Sequence, residues 1–130
     1  MCFDLSDSNL CASVAATHLT DRQLVRTIMD NSFDTIYFKD LNSVFLLNSK
    51  AHANEFGVDS PEQLIGKSDA DFYPPFFANR SLADEQEIMR SGKPIIGRIE
   101  RLEREDGQVI WFSASKYPLY DDHGVLAGTW

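Results

Sequence analysis

Cysteine is nearly absent from this sequence. The two present, Cys2 and Cys11, both fall in the first dozen positions. Neither has a CxxC partner or a histidine at metal-ligand spacing, so a disulfide framework and a zinc module are excluded. Two incidental thiols fit a reducing compartment, and the expected location is cytoplasmic. Long apolar runs are missing too. The longest near the middle is Val44-Phe45-Leu46-Leu47, far short of the ~20 residues of a bilayer-spanning helix. The first residues lack the basic and apolar regions of a signal peptide. Positive charge is scarce: 12 Lys and Arg stand against 20 Asp and Glu, a net charge of −8. Such a surface repels phosphate backbones and anionic membranes, and no basic stripe offsets it. Nucleic acid and membrane insertion are therefore set aside. Nor is there a Ser-His-Asp order, a P-loop or an internal repeat.

What is present fits one domain. A chain of 130 residues with nine Phe and two Trp can bury one core. Residues 1–18 are small, polar and weakly patterned, and are expected to form a flexible leader. Residues 19–32 carry the first strong pattern. Thr20 and Gln23 make a capping box, with Leu19 and Leu24 at the staple positions. Leu24, Val25, Ile28 and Met29 then form one apolar stripe at helical spacing. Such a stripe needs a partner, either its own sheet or the same helix of a second chain.

Residues 33–130 form the domain proper. Thr35 to Lys39 and Val44 to Leu47 read as a strand pair around an Asp40-Leu41-Asn42-Ser43 turn. Asn48 is placed to cap a short helix over Ser49 to Phe56, closed by Gly57. Ser60-Pro61-Glu62-Gln63 starts another short helix, and Asp69 to Tyr73 adds a turn. Phe76 to Arg90 predicts the longest helix, with an imperfect apolar side of Phe77, Leu82, Ile88 and Met89 and with Ser81 and Glu85 close to the side of Ile88. Ile95 to Arg104, Val109 to Tyr117 and Val125 to Trp130 predict three strands, joined at Asp106-Gly107 and at Asp121-Asp122-His123-Gly124. This order implies an α+β domain, an antiparallel sheet with helices on one face.

Several stretches in this order resemble the PAS domain family. They are Asp34 to Asp40, Leu47-Asn48-Ser49-Lys50-Ala51, Pro61 to Lys67, Asp71-Phe72-Tyr73-Pro74, Glu85 to Pro94, and Gly107, Trp111, Lys116-Tyr117-Pro118-Leu119 and Gly124. The resemblance runs from about Leu24 to Trp130. It implies the PAS fold, a five-stranded antiparallel sheet cupping a cavity under short helices, with an N-terminal flanking helix. It also implies a bacterial sensory module that relays a signal to an output domain in the same chain, such as a histidine kinase or diguanylate cyclase. The family's last strand usually runs on into a junction and linker helix. Here it stops at Gly128-Thr129-Trp130, so a truncated strand and an excised domain are expected.

The resemblance directs the search for chemistry. Haem binding in this family draws a His from the long helix region, but Phe76 to Ser91 contains none. His18, His52 and His123 read as surface or structural residues, which argues against haem. Covalent flavin photochemistry needs a reactive core Cys and is excluded. A non-covalent flavin would need Trp111 and a Phe-rich wall, where a plain core is the simpler reading.

The acidic pairs Asp69 with Asp71, and Asp84 with Glu85 and Glu87, read as solvated faces rather than acid–base machinery. Glu85 is the exception. It lies near the apolar side of the helix, where a lone charge needs a partner. Arg98 or Arg101 is the expected partner, or the ligand's bidentate contact. Ser113 and Ser115 alternate with apolar residues as pocket donors would. The expected pocket adds Phe45, Asn48, Phe72, Phe77 and Trp111 to these. The expected dimer interface is Leu24, Val25, Ile28 and Met29. A homodimeric sensor of a small molecule is the leading reading. A ligand-free dimerisation relay is the second, and a small α+β enzyme or carrier the third. The domain itself is not expected to be an enzyme.

Overall fold

In the computed structural model, residues 18–130 are described. The expected leader, with Cys2 and Cys11, lies outside them apart from His18. Helix α1 spans Asp21–Asn31. Its capping box forms as expected: Thr20 Oγ1 accepts from Gln23 N at 3.2 Å, and Thr20 N donates to Gln23 Oε1 at 2.8 Å. Two orphan donors are thereby satisfied. Within the stripe only Met29 is buried, while Leu24, Val25 and Ile28 remain 49%, 43% and 58% exposed.

Strands β1 (Tyr37–Asp40) and β2 (Phe45–Asn48) form the first hairpin. Asp40 builds the turn by accepting from Asn42 N and Val44 N at 2.8 and 3.0 Å, an Asx turn. Helix α2 (Lys50–Glu55) follows. Its cap is Ser49, which accepts from His52 N at 3.2 Å, not Asn48. Asn48 is the last residue of β2, so its side chain is left to meet His52 one turn along. Short 3-10 turns at Pro61–Leu64 and Asp69–Asp71 lead to α3 (Pro75–Ser91). The long helix closes at Gly92, whose φ of 70° lets its N–H return to Ile88 O at 2.8 Å.

Strands β3 (Ile95–Glu103) and β4 (Val109–Lys116) pair antiparallel, with a bulge between Ile95 and Arg98. β4 breaks at Tyr117 and resumes as β5 (Pro118–Tyr120). The chain then turns into β6 (Leu126–Thr129). The hydrogen-bonded orders are β2-β1-β6-β5 and β3-β4. Tyr117 and Trp130 exchange backbone hydrogen bonds of 2.7 and 2.9 Å at the break. Counting β4 and β5 as one interrupted strand recovers the expected antiparallel sheet of five strands.

Gly128 is required where β6 meets β1. A Cβ there would collide with the Lys39 carbonyl oxygen. The β2 edge is covered by a loop, with Phe45 N donating to Lys67 O at 2.8 Å and Gly66 N to Phe45 O at 3.0 Å. Phe45, Ala53 and Leu64, all at most 1% exposed, centre the apolar core, and Tyr37, Phe56, Val58 and Phe72 pack on them.

The buried side of α3 keeps Phe77 and Ile88 of the expected apolar side but not Leu82. Phe77, Ser81, Glu85 and Ile88 face inward, at the four- and three-residue steps of one helix face. Leu82 is 40% exposed. Two polar residues hold the inner stripe because polar partners wait for them on the sheet.

Candidate functional site

The inner face of β3 carries Arg98, Glu100 and Leu102, and that of β4 carries Ile110, Phe112, Ala114 and Lys116. Strand parity decides this, because successive side chains point to opposite faces. With α2, α3 and the segment before β1, these strands border a partly open hollow of about 600 Å³, a volume typical of small-molecule sites. Tyr37, His52, Tyr73, Phe77 and Phe112 form its aromatic wall. Asp69, Ser81, Glu100 and Lys116 add polar atoms, and Phe33, Asp34 and Thr35 reach it from the α1–β1 connection.

Beside the hollow lies a buried ion network. Lys39, 1% exposed, reaches Asp69 Oδ2 at 2.8 Å and Glu85 Oε1 at 2.5 Å. Its ammonium also sits 4.8 and 4.9 Å from the ring centroids of Tyr37 and Phe45, within cation–π range. Glu85 thus takes Lys39 as its partner, correcting the expectation of Arg98 or Arg101. The reason is register. Arg98 Nη2 is committed to Asp84 at 2.8 Å, and Arg101, on the outer face, pairs with Glu103 at 2.9 Å. Ser81 Oγ donates to Glu85 Oε1 at 3.3 Å and accepts from Lys116 Nζ at 3.5 Å, joining the two halves of the network. Glu85 Oε2 and Arg98 Nε are buried with no hydrogen-bond partner.

Burial tunes the aromatic wall. His52, 2% exposed, is pushed down to about 4, chiefly by desolvation; Asp69 opposes this and Lys39 adds to it. The ring is therefore neutral near pH 7. Its Nδ1 lies 2.9 Å from Asn48 Oδ1. With that oxygen as acceptor, Nδ1 carries the proton and Nε2 keeps its lone pair. Burial, reinforced by the Glu85 charge, raises Tyr37 well above the ordinary phenol range. Burial and the Glu55 carboxylate, which accepts from its hydroxyl at 2.9 Å, raise Tyr73. Both stay neutral hydroxyls.

Of the expected pocket residues, Phe77, Ser113 and Ser115 border the hollow. Phe45 is fully buried in the apolar core, Asn48 meets His52 through its Oδ1 while its Nδ2 is buried without a partner, and Phe72 stacks on Phe56 with centroids 4.4 Å apart. Glu85 and Arg98 belong to the ion network. Trp111, 64% exposed, shares the outer register of β4 with Ser113 and Ser115. Ser113 and Ser115 thus reach the hollow from the outward register of β4. Ser115 Oγ accepts from Gly97 N at 2.9 Å across the β3 bulge. Tyr37, His52, Asp69, Glu100 and Lys116 were missed. Parity held the signal for Lys116, which alternates with Ala114, Phe112 and Ile110 rather than with the serines.

An antiparallel sheet cupping a polar-lined hollow beneath short helices defines a PAS-type α+β module. Residues 29–129 match the family described as PAS fold, and the chain belongs to that family. The methanogenesis regulatory histidine kinase FilI of Methanothrix harundinacea is 30% identical over 103 residues, 79% of this chain and 11% of the kinase. The chain thus spans about a tenth of that curated relative's length. VqmA of Vibrio cholerae superposes with a TM-score of 0.72 at 24% identity, over 86% of this chain and 49% of VqmA. The PAS domain of BvgS from Bordetella pertussis gives 0.67 at 21%, over 85% of this chain and 82% of that domain. Such similarity establishes the PAS fold, a type of module that is typically sensory or regulatory. No helix among the described residues is long and apolar enough to cross a membrane.

Proposed function

We propose that this domain binds a small molecule in the hollow beneath α3 and passes its presence to an output domain through a dimer. The observation that carries the reading is the hollow itself. An aromatic wall and the polar side chains of Asp69, Ser81, Glu100 and Lys116, among others, converge on about 600 Å³ of space, as in binding sites generally. VqmA, which shares the fold at 23% identity, has been solved bound to DPO. The kinase relative supports an output of the histidine kinase kind. A ligand acts by its differential affinity for two states of the domain.

The exposed stripe Leu24, Val25 and Ile28 on α1 supports the dimer, as do Ile99 and Trp111, each 64% exposed on the outer sheet face. Those same residues favour a second reading, a relay that dimerises without ligand. Native mass spectrometry of purified protein, with thermal shift in a metabolite screen, separates the two. A bound species of small mass, or a binder that raises the melting temperature, supports sensing. A protein that carries and accepts nothing leaves the relay.

A further inference from the structure

Lys116 stands apart from the other buried cation. Its side chain is 4% exposed and it borders the hollow. Its nearest acceptors among the described residues are Ser81 Oγ and Asp84 Oδ2 at 3.5 Å and Glu100 Oε1 at 3.6 Å. All three are at or beyond the limit of a hydrogen bond, whereas a charge-assisted N–H···O contact ordinarily closes to about 2.8 Å. Lys39 has two such close contacts and does not border the hollow. A buried ammonium with three protons and no short partner is costly unless something else accepts from it.

The surrounding carboxylates do not depend on Lys116. Asp84 has its short contact with Arg98 at 2.8 Å, and Glu100 is also approached by Arg80 at 3.6 Å and Arg98 at 3.8 Å. Lys116 can turn one N–H toward the hollow while both acids keep guanidinium partners. The rest of the lining limits what approaches it. Asp34, Glu55, Asp69 and Glu100 face the hollow against Lys116 alone. Asp34 and Glu55 form no ion pair among the described residues. An anion would meet their repulsion. A cation would find Asp69 and Glu100 already paired, Glu55 engaged by the Tyr73 hydroxyl at 2.9 Å and Asp34 exposed to solvent, and would press on Lys116. Phe77 and Phe112, with ring centroids 5.8 Å apart, supply a surface for a flat apolar body.

We infer that the hollow takes a small, flat, uncharged molecule whose carbonyl-type oxygen accepts from Lys116 Nζ while its ring lies against Phe77 and Phe112. This rests on the sensory reading above and specifies the chemistry of its ligand. The test uses three probes that share a ring and differ in head group: acetophenone, benzoate and benzylamine. Each is titrated into ¹⁵N-labelled protein, with amide shifts followed around Phe77, Phe112 and Lys116. Acetophenone is expected to bind tightest, and Lys116→Met to weaken it by about tenfold. Tighter binding of benzoate or benzylamine overturns the uncharged-acceptor assignment and leaves ligand sensing standing. So does an affinity for acetophenone unchanged in a folded Lys116→Met protein. If none of the three shifts those amides at millimolar concentration, the uncharged-acceptor assignment falls, and the sensing reading is decided separately by the metabolite screen. The ranking on the unmodified protein decides the matter even if Lys116→Met does not fold.

Discussion

Replacing Lys39 by Met tests whether the buried network is what joins the sheet to the long helix. The side chain keeps its length and packing but loses its charge. Two carboxylates, Glu85 at 1% and Asp69 at 11% side-chain exposure, then lose their only ion-pair partner among the described residues. Removing one member of a buried pair typically costs about 3–5 kcal/mol, mostly because the other charge stays buried and unpaired. The lost cation–π contacts with Tyr37 and Phe45 act in the same direction. Against a domain stability of about 5–15 kcal/mol, the variant is expected to be barely folded at pH 7. Adding Glu85→Gln removes one stranded charge and should recover about 2 kcal/mol. The assay is urea unfolding of the four proteins of this cycle, followed by tryptophan fluorescence and calorimetry. A coupling energy below about 0.5 kcal/mol would mean that Lys39 and Glu85 act independently, which refutes the reasoning.

Other outcomes follow from the same coordinates. His52 titrates near 4 when folded and near 6.5 in its ordinary state. The unfolded chain therefore binds the extra proton between those values. The contribution is complete above pH 6.5 and falls by about 3 kcal/mol as pH drops to 4. In His52→Phe this part of the acid-side slope in urea midpoints should vanish, and an unchanged slope counts against the assignment. Gly128→Ala drives a Cβ into the Lys39 carbonyl and should cost about 3 kcal/mol; a melting temperature within a degree of the unmodified protein would show that β6 yields easily. Ile28→Asp, at a position 58% exposed, should convert a dimer to monomer in sedimentation velocity without lowering the melting temperature of the sheet. A chain that sediments as a monomer at every concentration removes the dimer.

Much of the local structure could be read from the residues because it is built by neighbours. The Thr20–Gln23 capping box, the Asp40 turn and the Gly92 helix stop each join residues within four positions of one another. The cap of α2 shows how near the limit lies. Asn48 and Ser49 are both competent N-caps, and the choice fell to Ser49 because pairing with Tyr37 keeps Asn48 in the sheet. The same holds for α3. Leu82 is the more apolar residue, yet Glu85 is the buried one, because Lys39 stands opposite, 46 residues away.

The site was the least legible part. Lys39 looks like an ordinary surface lysine in sequence, and Lys116 is marked only by its alternation with Ala114, Phe112 and Ile110. Only strand register turns one toward Glu85 and the other toward the hollow. By itself the sequence determined the element order, the turns and caps, and the α+β class, since those follow from backbone preferences acting over a few residues. Which face each strand and helix buries, which charges meet and where space is left were decided by tertiary structure. Ion pairing and exclusion of water act through space between segments far apart along the chain.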